Sequence, residues 1–229
     1  MTKEYGYIDV NPTWHTEDSP WKADHILNMI QRNKLAPKSV VEIGCGAGEI
    51  LNQLQQKMED KSILFSGYEI ASDAFLMAKT RESDRLHFYN EDLTLKNEKF
   101  DLLLMIDVFE HVEDPFNFIR KASSKAAYKI YHIPLDISVY SVLINNFKTM
   151  RYPGGHINYY TKYVALETLK ETGNEVIDFF YTSGYTERNQ KGLTLFGRFM
   201  NMLRRVFFKI SPDATAKILG GYSLLVLTK

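Results

Sequence analysis

The stretch "VVEIGCGAGEIL", Val40 to Leu51, runs from an apolar block through glycines at 44, 46 and 48 into an amphipathic segment. Valine and isoleucine ahead of the first glycine predict a buried strand over 39–44. Beyond the last glycine, Ile50, Leu51, Leu54 and Met58 recur at helical spacing, so the order is strand, tight loop, helix. Such a loop offers backbone N–H groups and the positive end of a helix dipole to a ligand.

The same alternation continues outward in both directions. Ser19-Pro20 reads as a cap and first-turn proline, opening a helix with Ala23, Ile26, Leu27 and Ile30 on one face that ends near Asn33. "SILFSGYEI" (62–70) predicts a second strand, and Ser72 caps a helix over 72–80. "RLHFYN" (85–90) and the strongly apolar "KFDLLLMIDV" (99–108) follow as strands. Asp114-Pro115 opens a helix carrying Phe116, Ile119 and Ala122, and "YKIYHIP" (128–134) is the next strand. Further strands are predicted over 174–182 and 220–229, with a helix over 162–172 stopped by Gly173. This βαβ rhythm predicts an α/β, doubly wound, Rossmann-like sheet of seven strands with helices on both faces, and ligands at the strands' carboxyl ends. The segments 135–161 and 183–219 break the rhythm and read as substrate-side inserts. They belong to one domain of 1–229, with a cap helix in 1–36 and a cofactor-binding core in 37–134.

Composition narrows the function. Twenty-eight basic and 28 acidic residues cancel, which argues against a nucleic-acid partner. The single cysteine, Cys45, fits a reducing compartment, and no run approaches the roughly 18 apolar residues of a spanning helix, so a cytoplasmic location is expected.

The glycine loop excludes two ligand classes. A phosphate loop needs Gly-Lys-Ser/Thr, whereas Gly48 is followed by Glu49-Ile50. A dinucleotide fingerprint needs glycine at 49, and a carboxylate there repels a pyrophosphate. What stands is E-x-G-x-G-x-G, from Glu42 through Gly44, Cys45 and Gly46 to Gly48. This resembles the S-adenosylmethionine loop of class I methyltransferases. Three further stretches are similar to the same family in register. "GYEI" ends the second strand at Glu69 and Ile70, "YNEDLT" brings Asp92 and Leu93 after the third, and "IDVFEHVEDP" (106–115) follows the fourth. The last is similar to the EHV-D-P signature of the small-molecule and glycan branch, as is "GGHINYYT" (154–161).

The resemblance implies a mostly parallel sheet with an antiparallel last strand and S-adenosyl-L-methionine as cofactor. It implies that Glu69 accepts both ribose hydroxyls, and that Asp92 with the N–H of Leu93 reads the adenine, Glu91 being the competing choice. Asp107, at the end of the fourth strand, faces the cofactor; Glu110, His111 and Asp114 fix a loop or cap a helix. The first helix covers the methionine end, where Trp14, His15, Trp21 and Lys22 gather; an aromatic or His15 contact to the cofactor, or packing of the tryptophans on the sheet edge, accounts for them.

A hydroxyl acceptor needs a general base. His132, with Asp136 close by, and His156 after the hinge-like Gly154-Gly155 are the candidate catalytic residues. No tight ligand spacing suggests a metal. In "LTLFGRFMNMLRRVFFKI" (193–210), Leu195, Phe196, Phe199, Met200, Leu203, Val206, Phe207 and Ile210 form one face, opposite Arg198, Asn201, Arg205 and Lys209. Packing on the sheet or a dimer contact accounts for such a helix, and so does contact with membrane or a lipid-linked acceptor. Similar basic inserts in methyltransferases of surface-glycan pathways imply a sugar, nucleotide-sugar or lipid-linked hydroxyl as acceptor. The alternatives are a quinone, lipid or amine acceptor, or a non-catalytic cofactor-binding partner subunit.

Overall fold

The computed structural model describes residues 13–14, 16–152, 154–188 and 192–229. His15, read above as a neighbour of the first helix, lies outside the described residues. The chain begins with α1 (Ser19–Arg32), β1 (Ser39–Ile43), α2 (Glu49–Lys57), β2 (Leu64–Tyr68), α3 (Ser72–Lys79) and β3 (Leu86–Tyr89). It continues through β4 (Phe100–Ile106), α4 (Pro115–Ser123), β5 (Ala126–Pro134), α5 (Val139–Leu143) and α6 (Phe147–Arg151). It closes with α7 (Lys162–Glu171), β6 (Val176–Thr182), α8 (Gly184–Glu187), α9 (Leu195–Ile210), α10 (Pro212–Leu219) and β7 (Ser223–Thr228).

The seven strands form one sheet in the order β3-β2-β1-β4-β5-β7-β6. β1 through β5 pair in parallel, and β7 runs antiparallel to both β5 and β6. Successive strand residues point to opposite faces, and two cores result. Val40, Leu102 and Leu104 join Ile26, Leu51 and Leu54 beneath α1 and α2. Val41, Leu103 and Met105 join Phe109, Ile119 and Leu169 on the other face. Covering both faces explains why β1 and β4 are near-continuous apolar runs rather than alternating ones.

Several local expectations shift. α1 takes Asp18, not Ser19, as its cap residue and follows a 3-10 turn over Thr16–Asp18, and α3 is flanked by Ala71 with Ser72 inside the helix. Asp114 does cap α4, its carboxylate accepting from Asn117 N–H. The aperiodic 135–161 segment holds two short helices; Ser138 and Ser141 form a reciprocal capping box at the first. α10 opens on Ser211-Pro212, the same cap-plus-proline signal, here backed by Ser211 accepting from Ala214 N–H.

α9 reverses the expected packing. Met200, Asn201 and Arg204 are its buried residues, whereas Leu195, Phe196, Phe199, Val206, Phe207 and Ile210 are exposed. The polar set also divides, with Asn201 turned inward and Arg198, Arg205 and Lys209 outward. The apolar face therefore does not pack on the sheet. Polar anchoring wins because Arg204 donates to the carbonyls of Leu219 and Gly220 at the end of α10, and Asn201 donates to Tyr185 O.

Gly67 in β2 leaves no room for a side chain, since an added Cβ lies 2.5 Å from Phe88 Cδ1 and 2.8 Å from Cys45 Sγ. Both neighbours are buried in the α1/α2-side core. Gly67→Ala is expected to cost about 1–3 kcal/mol of unfolding free energy by overpacking, measured by urea denaturation. An unchanged midpoint would show that Phe88 can rotate away.

Candidate active site

The loop after β1 is shaped by left-handed backbone. Gly44, Gly46 and Gly48 have φ of 67°, 53° and 77°, a region costly for residues with a Cβ. A Cβ at Gly48 falls 2.4 Å from Phe88, while nothing lies within 4 Å of one at Gly46. Gly46 is thus the point where the loop opens to a ligand. Cys45 is different: its thiol lies in the α1/α2-side core, its N–H is bonded to Tyr68 O, and its carbonyl accepts from Gly48 N–H. The side chain is turned into the fold, and burial pushes the thiol well up.

Acidic groups gather at the carboxyl ends of the strands. Glu69 accepts from Gly46 N–H and Ala71 N–H, both at 2.8 Å, so it braces the glycine loop with one lone pair of each oxygen. Burial raises its carboxyl although those N–H groups oppose the shift. Ile70, beside it, is 74% exposed, an apolar platform at the end of β2. Asp92 accepts from Thr94 N–H at 2.8 Å and starts a 3-10 turn. Leu93, which follows it, is buried in the second core. Glu91 pairs instead with Lys96.

Asp107 sits just past β4 with φ of 55°, a strain of order 1–3 kcal/mol for a residue with a Cβ. Its carboxylate takes Lys22 Nζ at 2.7 Å and His132 Nδ1 at 2.6 Å. Burial alone would raise the Asp107 carboxyl, but His132 and Lys22 overcome it and hold the group far below the usual range. His132 Nε2 meets Thr182 Oγ1 at 2.8 Å. Both ring nitrogens of His132 are thus engaged and the ring is buried, the geometry of a group that holds Asp107 in place.

The other histidine has a free end. His156 gives its Nδ1–H to Asp136 Oδ2 at 2.7 Å, and its ring stands edge-on to His111 at 4.9 Å. The segment carrying it is tied to the turn after β4: Ile157 and Asn158 N–H both donate to Glu110 O, and the Asn158 amide donates to Val112 O at 2.7 Å. Folding brings together what the spacing separates, since one ligand atom each from Glu110, His111 and His156 lies within 4.8 Å of the others. Burial, then His156, lowers the His111 imidazole.

Two buried acids lack compensation. Glu42 Oε2 and both carboxylate oxygens of Glu110 have no hydrogen-bond partner among the described residues. Burial pushes Glu42 well up, only partly offset by Lys22, and burial with the charge of Asp107 does the same to Glu110. Ionising an unpaired buried carboxyl is costly; a cation beside it lowers that cost, whereas a pyrophosphate raises it. S-Adenosylmethionine, with an ammonium and a sulfonium, fits. Two features escaped the sequence reading: Lys22 was placed only as a cover, and Thr182 was not singled out. Lys22 reaches Asp107 from α1 and Thr182 reaches His132 from the end of β6, and neither contact leaves a local motif.

A family model described as a methyltransferase domain matches residues 14–178. The ubiquinone biosynthesis O-methyltransferase of Glaesserella parasuis is 28% identical over 130 residues, which cover 49% of this chain and 53% of that protein. The protein of the same name from Coxiella burnetii is 22% identical over 160 residues, 64% of this chain and 63% of its own. The chain spans about half the length of the first of these relatives. In fold it resembles the magnesium protoporphyrin IX methyltransferase of Synechocystis PCC 6803 with bound S-adenosylhomocysteine, at TM-score 0.61 and 16% identity over 91% of this chain and 82% of that one. The N-methyltransferase NodS of Bradyrhizobium japonicum, also with S-adenosylhomocysteine, gives 0.59 and 15% over 94% and 90%. The matched family model covers most of the chain and the strand order agrees with those folds, so this chain belongs to the methyltransferase-domain family, in its class I, S-adenosylmethionine-dependent branch.

Proposed function

We propose that the chain moves a methyl group from S-adenosylmethionine to a hydroxyl of a small-molecule acceptor, with His156 as general base. The observation that carries this reading is the Asp136–His156 pair. Asp136 fixes the Nδ1–H of a half-buried ring, so Nε2 remains as the proton acceptor. Bound cofactor supplies an electrophilic methyl on sulfur, displaced in line. His156 Nε2 then takes the proton that the acceptor hydroxyl loses as its oxygen attacks.

In this reading Glu42 takes the cofactor ammonium, and Gly44, Gly46 and Gly48 let the backbone approach. Glu69 accepts ribose hydroxyls on the lone pairs left by Gly46 and Ala71, Ile70 packs on adenine, and Asp92 with Leu93 N–H reads its edge. Lys22 and His132 keep Asp107 charged and in position. For the acceptor, the ubiquinone biosynthesis O-methyltransferases among the relatives support a quinone-type phenol. A sugar or lipid-linked hydroxyl is the second reading, supported by the basic insert at α9. Incubating the purified chain with cofactor and a panel of catechols, quinols and sugars, with product mass read out, tests both. No methyl gain on any hydroxyl, alongside clear cofactor binding, would favour a partner subunit.

Two variants test the assignments. Glu69→Gln is expected to weaken S-adenosylhomocysteine binding by about 1.5–3 kcal/mol in titration calorimetry; a loss under about 0.5 kcal/mol removes Glu69 from ribose binding. His156→Ala is expected to lower kcat about 10²–10⁴-fold with cofactor affinity unchanged. If cofactor affinity falls in parallel, His156 is part of the loop's structure rather than the base.

A further inference from the structure

We propose that the outward face of α9 docks on an anionic lipid surface. Leu195, Phe199, Met202, Val206 and Ile210 recur every three or four residues and form one stripe, with Phe196 and Phe207 beside it. All seven are exposed, from 48% at Phe207 to 83% at Leu195. A water-facing helix of a globular protein points such a stripe at the core, and here the orientation is the reverse. It is fixed from behind. Arg204 is buried and donates to Leu219 O, Gly220 O and Asn201 Oδ1, and its guanidinium lies 5.1 Å from the Tyr185 ring. Asn201 in turn donates to Tyr185 O. Turning the helix to bury its phenylalanines would strand these polar groups without partners, at a cost comparable to what the burial gains.

The charge on the stripe's edge selects the occupant. At 100° per residue, Arg198, Arg205 and Lys209 fall in one row along one side of the stripe. From Arg188 to Pro212 the sequence contains no aspartate or glutamate. A second copy of the chain seated on this face would set cationic rows against each other with no carboxylate on the helix to pair them. A bilayer surface with anionic headgroups matches both halves: the phenyl and aliphatic groups enter the acyl boundary, and the basic row meets phosphate. Arg198 and Arg205 also line an open polar cleft of about 420 Å³ beside the helix, whose other charged lining groups, Arg188 and Glu187, are paired with Asp18 and His25. α5, whose Tyr140 ring lies 5.9 Å from Arg204, adds exposed Val142 and Leu143 near the same anchor. No described helix is long and apolar enough to cross a membrane, so the contact is peripheral.

This inference stands whatever the acceptor is. Its test is co-sedimentation of the full chain with phosphatidylcholine vesicles, with and without phosphatidylglycerol, at low and high salt. Binding is expected only with the anionic lipid and is expected to fall with salt. Joint Phe199→Glu and Phe207→Glu should cut vesicle binding at least about tenfold, and joint Arg198→Ala and Lys209→Ala by about 25-fold, near fivefold per charge. S-Adenosylhomocysteine binding should be unchanged in both, which shows that the fold is intact. Absent vesicle binding, equal binding with and without phosphatidylglycerol, or a concentration-dependent dimer broken by the Phe variants would each overturn the proposal.

Discussion

The arrangement around the cofactor end depends on one half-buried carboxylate. Asp107 leaves β4 in a left-handed turn and is held by Lys22 from α1 and His132 from β5, with Thr182 of β6 behind the imidazole. Four elements distant in sequence meet at that group. The Lys22 ammonium and the hydrogen bond from His132 together outweigh the desolvation of the acid, which therefore stays ionised. Because β4 and β5 are neighbours in parallel register, with Ile106 opposite His132, the strained turn and the histidine arrive at the same level. The backbone strain is tolerated because the surroundings over-determine it.

The same region shows why a sulfonium nucleoside suits this fold where a dinucleotide does not. Glu42, Glu69, Asp107 and Glu110 crowd the carboxyl ends of adjacent strands, and two of them are left uncompensated. Such a pocket is poised against anions. Glu69 holds the glycine loop in shape through Gly46 N–H, so in the proposed ribose contact loop geometry and ligand recognition would share one side chain.

Much of this was legible in the chain itself. The strands and their ligand-bearing ends follow from short apolar runs punctuated by glycine, and Asp114-Pro115 marked its helix start correctly. What escaped was decided by tertiary contacts. Cys45 sits within the glycine motif, yet its direction depends on the close approach of Gly67 and Phe88. His132 and His156 look alike in sequence, and what separates them is the second nitrogen, bonded to Thr182 in His132 and without a hydrogen-bond partner among the described residues in His156. For α9 the periodicity identified an amphipathic helix but not which side faces in. Arg204 overrode the pattern because helix-end carbonyls and an asparagine were waiting for it. Hydrophobic period is silent about such polar anchors.

The position of β7 carries a kinetic consequence. It is the last strand in sequence, but it lies between β5 and β6 and runs against both. Until it inserts, β5 and β6 each present an unpaired edge, and the two are held apart with no ladder of their own. Sheet completion is thus a long-range event, with β5 waiting some ninety residues, counted from Pro134 to Ser223, for its second neighbour. Such non-local pairing slows folding and prolongs the exposure of strand edges to other chains. A chain emerging from a ribosome would carry the glycine loop and β1 through β4 while that edge stood open, so its aggregation hazard lasts until the residues of β7 have been made.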